Sequence, residues 1–209
     1  MIHVLGNHCI ATLGRECIMK RLNIPEPGYY CYDLSDSWRL VVLDTTEMSG
    51  HSMFPEDSWQ IKESQEYVAN HPCSEEDPHM VFWNGGITST QLQWLQSQVT
   101  MAEESSNNLI VLAHHQVCLD AARRTHLAWN FRDIFRVLSQ SPAVRFFFAG
   151  HDHVGGYKLY DPEDQHYITM PGLVEAPSSS NAFGTLHIHS ANHVELKGYG
   201  TVPSRNFLR

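Results

Sequence analysis

Basic residues are scarce in this chain: 14 lysines and arginines stand against 23 aspartates and glutamates, a net charge of −9. That balance excludes a nonspecific nucleic-acid binder and a polybasic membrane-surface protein, since both need a basic patch. No apolar run reaches the ~18 residues of a membrane span. The N-terminus lacks the charged, apolar, small-residue succession of a secretory leader. The five cysteines (Cys9, Cys17, Cys31, Cys73, Cys118) form no Cys-x-x-Cys pair, so neither a zinc ribbon nor a disulfide framework is indicated. Reduced thiols in a cytoplasmic protein are the expectation. Internal repeats, low-complexity tracts and linkers are missing too, and residues 1–209 read as a single domain.

Hydrophobic content of 42% with 18% charged residues fits a globular chain. Met1–Leu5, Trp38–Asp44, Leu109–Ala113 and Val144–Ala149 are nearly continuous apolar runs, as expected of strands covered on both faces. Thr88 and Gln91 fit a capping box ahead of Leu92, Leu95 and Val99. Leu127, Phe131, Ile134, Phe135 and Leu138 recur at helical spacing and stop before Pro142. The polar stretch 60–79 reads as a surface insertion. Thr185–His189 and His193–Gly198 read as hairpin strands joined by residues 190–192. Strand–helix alternation followed by terminal strands predicts an α/β sandwich.

Three apolar strands end in ligand-type residues: Gly6-Asn7-His8, His114-His115 and Gly150-His151-Asp152-His153. Turn chemistry gives no reason for two histidines one residue apart after a buried strand. A metal does, because neutral imidazole is the commonest metal-ligating side chain. Ligands of α/β sheets gather at the carboxyl ends of strands, so loops from neighbouring strands can bring these residues to one cleft. A cation there would let an acidic protein take a phosphorylated substrate. The remaining histidines, including the alternating His187 and His189, read as structural. Trp129 and Tyr157 can stack a base or simply pack.

The combination resembles the calcineurin-like metallophosphoesterase superfamily. Its pattern runs Asp-x-His, Gly-Asp-x-x-Asp, Gly-Asn-His-Glu/Asp, a strand-end histidine and Gly-His-x-His; the last three are here, in order. Within it the chain looks most like the manganese-dependent ADP-ribose/CDP-alcohol diphosphatases. The supporting segments are Asn84-Gly85-Gly86-Ile87, Gln91-Leu92-x-Trp94-Leu95, Trp129-Asn130, Gly155-Gly156-Tyr157, Gly172-Leu173-Val174-Glu175 and Ala182-Phe183-Gly184-Thr185. The resemblance implies a sandwich of two mixed β-sheets flanked by helices. It implies a pair of divalent cations that activate a water against the diphosphate linkage of ADP-ribose or CDP-alcohols such as CDP-choline. It implies that Asn7, His114 and His151 hold one ion and His153 the other, with His8 a catalytic histidine near the leaving-group oxygen. His114 is favoured over His115 because the family's ligand directly follows the strand; His115 stays open. Manganese is likewise implied by the resemblance, whereas imidazole and oxygen donors alone suit manganese, zinc or iron.

Two departures stand out. Cys9 replaces the carboxylate that supports the histidine in the wider superfamily. No Asp-x-His or Gly-Asp-x-x-Asp precedes Gly6, and the resemblance assigns to those motifs most of one metal site and the bridging aspartate. Asp33, Asp36, Asp44 and Asp120 are not expected to substitute, since none follows a strand in the required order with a paired histidine. The expectation is the C-terminal portion of a diphosphatase, N-terminally truncated, with open strand edges and weak or no activity as it stands. It is also expected to be a monomer with a nucleotide diphosphate as its partner and no nucleic acid or membrane. The alternatives are a non-catalytic chain that binds one metal or a partner, and a superfamily member acting on phosphomonoesters or cyclic nucleotides.

Overall fold

A computed structural model describes residues 1–160, 162 and 164–209. The helices are α1 (Asn7–Leu13), α2 (Arg15–Leu22), α3 (Trp59–Asn70), α4 (Ser89–Glu104) and α5 (Phe131–Ser139). The strands are β1 (Tyr30–Ser35), β2 (Trp38–Val42), β3 (Met48–Ser49), β4 (Gly85–Gly86), β5 (Asn108–Leu112), β6 (Val144–Ala149), β7 (Gly156–Tyr160), β8 (Gln165–Thr169), β9 (Ala182–Ser190), β10 (His193–Gly200) and β11 (Arg205–Leu208).

The main sheet has six strands in the order β1-β2-β5-β6-β8-β7. Its four central strands run parallel and its two edge strands antiparallel, so the sheet is mixed. The second sheet, β11-β10-β9, is antiparallel. Side-chain alternation gives the large sheet two apolar faces. Leu40, Val42, Ile110, Phe146 and Ile168 meet Val194, Leu196 and Phe207 of the small sheet. Val41, Val111, Phe147 and Tyr167 meet Leu95 and Val99 of α4 and Ile134 and Leu138 of α5. Each large apolar side chain so buried contributes about 1.5–3 kcal/mol. Between β5 and β6 the register slips, because Leu109 faces Val144 while Ile110 faces Phe146. Arg145 is the extra residue of this bulge, and its guanidinium ties the sheet to Ala191 O (2.9 Å) and Asp164 Oδ2 (3.1 Å).

Several expectations are corrected. Residues 1–5 form no strand, because no strand lies beside them among the described residues to accept a ladder. The Tyr30 hydroxyl instead accepts from His3 N (3.1 Å) and donates to His3 O (2.7 Å), while Leu5 packs on Ile10, Ile18, Met19 and Ile24. Leu127 precedes α5, its backbone bridging to Gln116. The capping box is only half formed. Thr88 Oγ1 accepts from Gln91 N, but the buried Glu47 carboxylate, not Gln91, takes the Thr88 N–H at 3.0 Å. Gln91 is drawn off to Asp44, whose N–H it accepts at 2.9 Å. The stretch 60–79 lies largely on the surface as expected, with Ser64 and His79 buried, but its first half lies within the helix α3, capped by Ser58. The terminal hairpin is present over a longer span, 182–190 with 193–200.

The four parallel strands end on one edge, where the loops after β2, β5 and β6 open together. Among the described residues no helix is long and apolar enough to cross a membrane.

Candidate functional site

β5 and β6 are neighbours, so their parallel alignment carries His114 and His151 out of the sheet side by side. Asn7 reaches them from the start of α1. His114 Nε2 lies 2.9 Å from Asn7 Oδ1 and 3.1 Å from His151 Nδ1. Gly6 permits this approach, since a Cβ there would sit 3.0 Å from the His114 ring.

The surrounding hydrogen bonds fix which atoms converge. Asn7 Nδ2 donates to Trp83 O at 3.2 Å, which turns Oδ1 toward His114. Asn84 Nδ2 donates to His79 O (2.7 Å) and Thr125 O (2.8 Å), leaving Asn84 Oδ1 to accept from His151 Nε2 at 2.7 Å. With its proton held on Nε2, His151 turns the lone pair of Nδ1 toward His114. His151 adopts a left-handed backbone, φ 59°, a conformation that a non-glycine keeps only when its surroundings enforce it. Burial, followed by the neighbouring His8 and His153, pushes His114 down to about 4. Burial and the neighbouring His114, His126 and His153 push His151 down to about 3. Burial likewise holds His115 well below its ordinary range. At neutral pH these rings are uncharged, the form that ligates metals. Two imidazole nitrogens and an amide oxygen aimed at one point repel each other unless a proton or cation lies between them. The donor set therefore fits a divalent ion.

His153 and His8 make no hydrogen bond to this trio but share its cleft, which Asn7 and His151 also line. Both line a cleft of about 740 Å³ together with His51, Trp83, Arg123 and His126. His8 is exposed on α1. His153 Nδ1 faces Glu175 Oε1 at 3.3 Å, and Gly172 packs so tightly on the ring that a Cβ there would meet it at 2.7 Å. Between the two loop histidines, Asp152 is buried. Burial raises its pKa, but bonds from the Arg123 side chain and Arg123 N (2.8 Å) outweigh this and hold the carboxyl below its usual range.

Three of the four carboxylates considered as substitutes are engaged elsewhere: Asp44 pairs with Arg15, Asp33 with Arg39 and Asp120 with Lys158. The tripeptide Asp-x-His does occur at Asp77-Pro78-His79 and Asp164-Gln165-His166. His79 Nε2 is used on Trp129 O (3.1 Å), and His166 lies at the opposite edge of the sheet. Asn84 was visible in the sequence as part of a supporting segment but carried no assigned role, because its function depends on a partner 67 residues away.

No family model matches the chain. The structure superposes on that of a dimetal phosphatase from Danio rerio with a TM-score of 0.83 and 27% identity, covering 99% of this chain and 71% of that one. Plasmodium GAP50, at 15% identity and a TM-score of 0.55 over 88% of this chain and 55% of that one, shares the fold alone. The architecture is thus of the metallophosphoesterase type. Proteins named manganese-dependent ADP-ribose/CDP-alcohol diphosphatase align at 30% identity from Bos taurus (97% of this chain, 67% of that one) and 30% from Arabidopsis thaliana (98% and 69%). The Xenopus laevis protein of that name aligns at 38% (97% and 65%). This chain belongs to the manganese-dependent ADP-ribose/CDP-alcohol diphosphatase family, and spans about two thirds of the length of these relatives.

Proposed function

We propose that the chain serves the manganese-dependent hydrolysis of the diphosphate linkage of ADP-ribose and of CDP-alcohols of the CDP-choline type. The observation that carries this is the convergence of Asn7 Oδ1, His114 Nε2 and His151 Nδ1 at the strand ends. Those three would hold one manganese ion, and His153 would serve a second; zinc or iron also suits these donors. When bound, such ions neutralise charge on phosphate oxygens and lower the pKa of the attacking water. Asn84 keeps the proton of His151 on Nε2. His8, exposed at the cleft, would give a proton to the departing phosphate oxygen. Water adds to one phosphorus as the bridging P–O bond breaks, so ADP-ribose yields AMP and ribose 5-phosphate, and CDP-choline yields CMP and phosphocholine. We read residues 1–209 as one domain of a cytoplasmic monomer that takes a small nucleotide substrate. Its net charge of −9 disfavours nucleic acid.

One observation favours a second reading, a chain that binds a single ion without turnover: these residues offer three donors to one ion and one to the other. The test is manganese-dependent AMP release from ADP-ribose, with His151→Ala as control. Turnover that disappears in the variant supports hydrolysis. A folded chain that binds manganese and releases no AMP supports the single-ion reading.

A further inference from the structure

His115 stands beside the proposed ion site with no task assigned to it. It is fully buried, and its ring centre is 4.3 Å from that of His151 and 4.9 Å from that of His114. In an extended strand, adjacent side chains point to opposite faces. Here β5 has ended at Leu112, and the turn lets both rings face one space. Thr45, in the turn after β2, holds His115 at two points, with its Oγ1 3.0 Å from His115 N and 2.9 Å from His115 Nδ1. Nε2 is left buried without a hydrogen-bond partner. The Trp83 carbonyl, which accepts from Asn7 Nδ2, also lies near this ring and is a competing partner when the proton sits on Nε2. An unsatisfied buried polar atom costs about 1–3 kcal/mol, so something is expected to satisfy it. When Nδ1–H donates to Thr45 Oγ1, Nε2 carries a free lone pair. One ring nitrogen from each of His114, His115 and His151 lies within 4.8 Å of the others. Nitrogens ~2.0–2.1 Å from a shared ion lie at most about 4.2 Å apart, so the rings would close by about half an ångström on binding.

We infer that His115 is a further ligand of the ion held by Asn7, His114 and His151, and that it turns this site toward nitrogen-preferring metals such as zinc relative to manganese. The inference rests on the ion site proposed above. It changes the donor set from two imidazoles and an amide oxygen to three imidazoles and an amide oxygen. Nitrogen donors bind zinc more tightly than manganese, so the third ring strengthens zinc binding more than manganese binding.

The experiment measures metal affinity, not turnover. The metal-stripped full chain is titrated with Zn²⁺ in competition with a chromophoric chelator, and with Mn²⁺ by the spin-resonance signal of the free ion. His115→Leu, and His115→Asn should the apolar variant fail to fold, are expected to lower zinc affinity about ten-fold or more. The zinc-over-manganese ratio shrinks with it. Thr45→Val, which releases the ring, shifts the ratio the same way by a smaller factor. His114→Ala loses both ions. An unchanged ratio in folded His115 and Thr45 variants overturns the role of His115, while loss of binding in His114→Ala still upholds the site. Full binding in His114→Ala, or no binding by the wild-type chain, overturns the site and the inference together.

Discussion

The two ends of the six-stranded sheet each bury histidine, with opposite consequences. At the carboxyl end, His114 is pushed down to about 4, chiefly by burial. At the amino end of β8, His166 is also pushed down to about 4, again chiefly by burial. Among the described residues both His115 Nε2 and His166 Nε2 lack a hydrogen-bond partner, although Asp164 Oδ1 lies 3.5 Å from the latter. Yet His166 is wedged between Phe146 and Phe207, with the Tyr157 hydroxyl 3.1 Å from its Nδ1, and no other ligand-type ring turns toward it. A depressed basicity or an orphan nitrogen by itself therefore does not mark a ligand. Convergence of several donors on one point separates a ligand site from a packed core histidine.

The sharpest way to break this comparison is to truncate one histidine at each end. His151→Ala is expected to lower manganese affinity by about 100-fold or more and to remove any AMP release, whereas His166→Phe leaves metal binding unchanged. Isothermal titration with manganese checks both. Equal losses would mean that the two ends are not distinct.

The next effect concerns the loop that presents His151 and His153. Asp152 is 1% exposed and its partner Arg123 is half exposed. Asp152→Ala leaves few bonds to hold the loop. It should cost about 1–3 kcal/mol, mainly from the N–H groups of Arg123 and Val154 losing their acceptor, since the Arg123 charge reaches solvent. Chemical denaturation measures this.

A smaller effect is the pH dependence set at the amino end. His166 takes up its proton near pH 6.5 in the unfolded chain and only near 4 in the folded one. Its contribution to stability is whole above pH 6.5 and is lost as pH falls toward 4, by at most about 1.4 kcal/mol per pH unit. His166→Phe should make that part of a melting-temperature profile shallower, the remaining slope coming from the buried His114, His115 and His151. A slope that persists unaltered would assign it elsewhere. Smallest is the rim: Glu175→Gln removes an exposed partner of His153 and should change stability by less than about 0.5 kcal/mol.

Three of the four parallel strands and the ligand-type residues were legible because both depend on local pattern; β8 went unread because Gln165, His166 and Thr169 break its apolar run. Val144–Ala149 is apolar throughout and forms β6 with those bounds. Residues 1–5 have the same character, but a strand also needs a neighbour, which composition does not report. The edge strands β1 and β7 went unread because exposed residues such as Tyr32 and Lys158 interrupt their apolar pattern. At the site, the spacing of His151 and His153 marked a ligand pair but could not show that one would join Asn7 and His114 while the other faced Glu175. That division is made by Asn84 and Gly172, each distant in sequence from the histidine it positions.

Asn7 and His114 are 107 residues apart in the chain, and His114 and His151 are 37 apart. An ion shared among them would act as a reversible cross-link over more than half the polypeptide, available only once β5 and β6 are in register. By mass action, free ion at a hundred times its dissociation constant would add about 2.7 kcal/mol to the folded state. The ion supply in the surroundings would then govern how much of this chain stays folded, whether or not a phosphate ever enters the cleft.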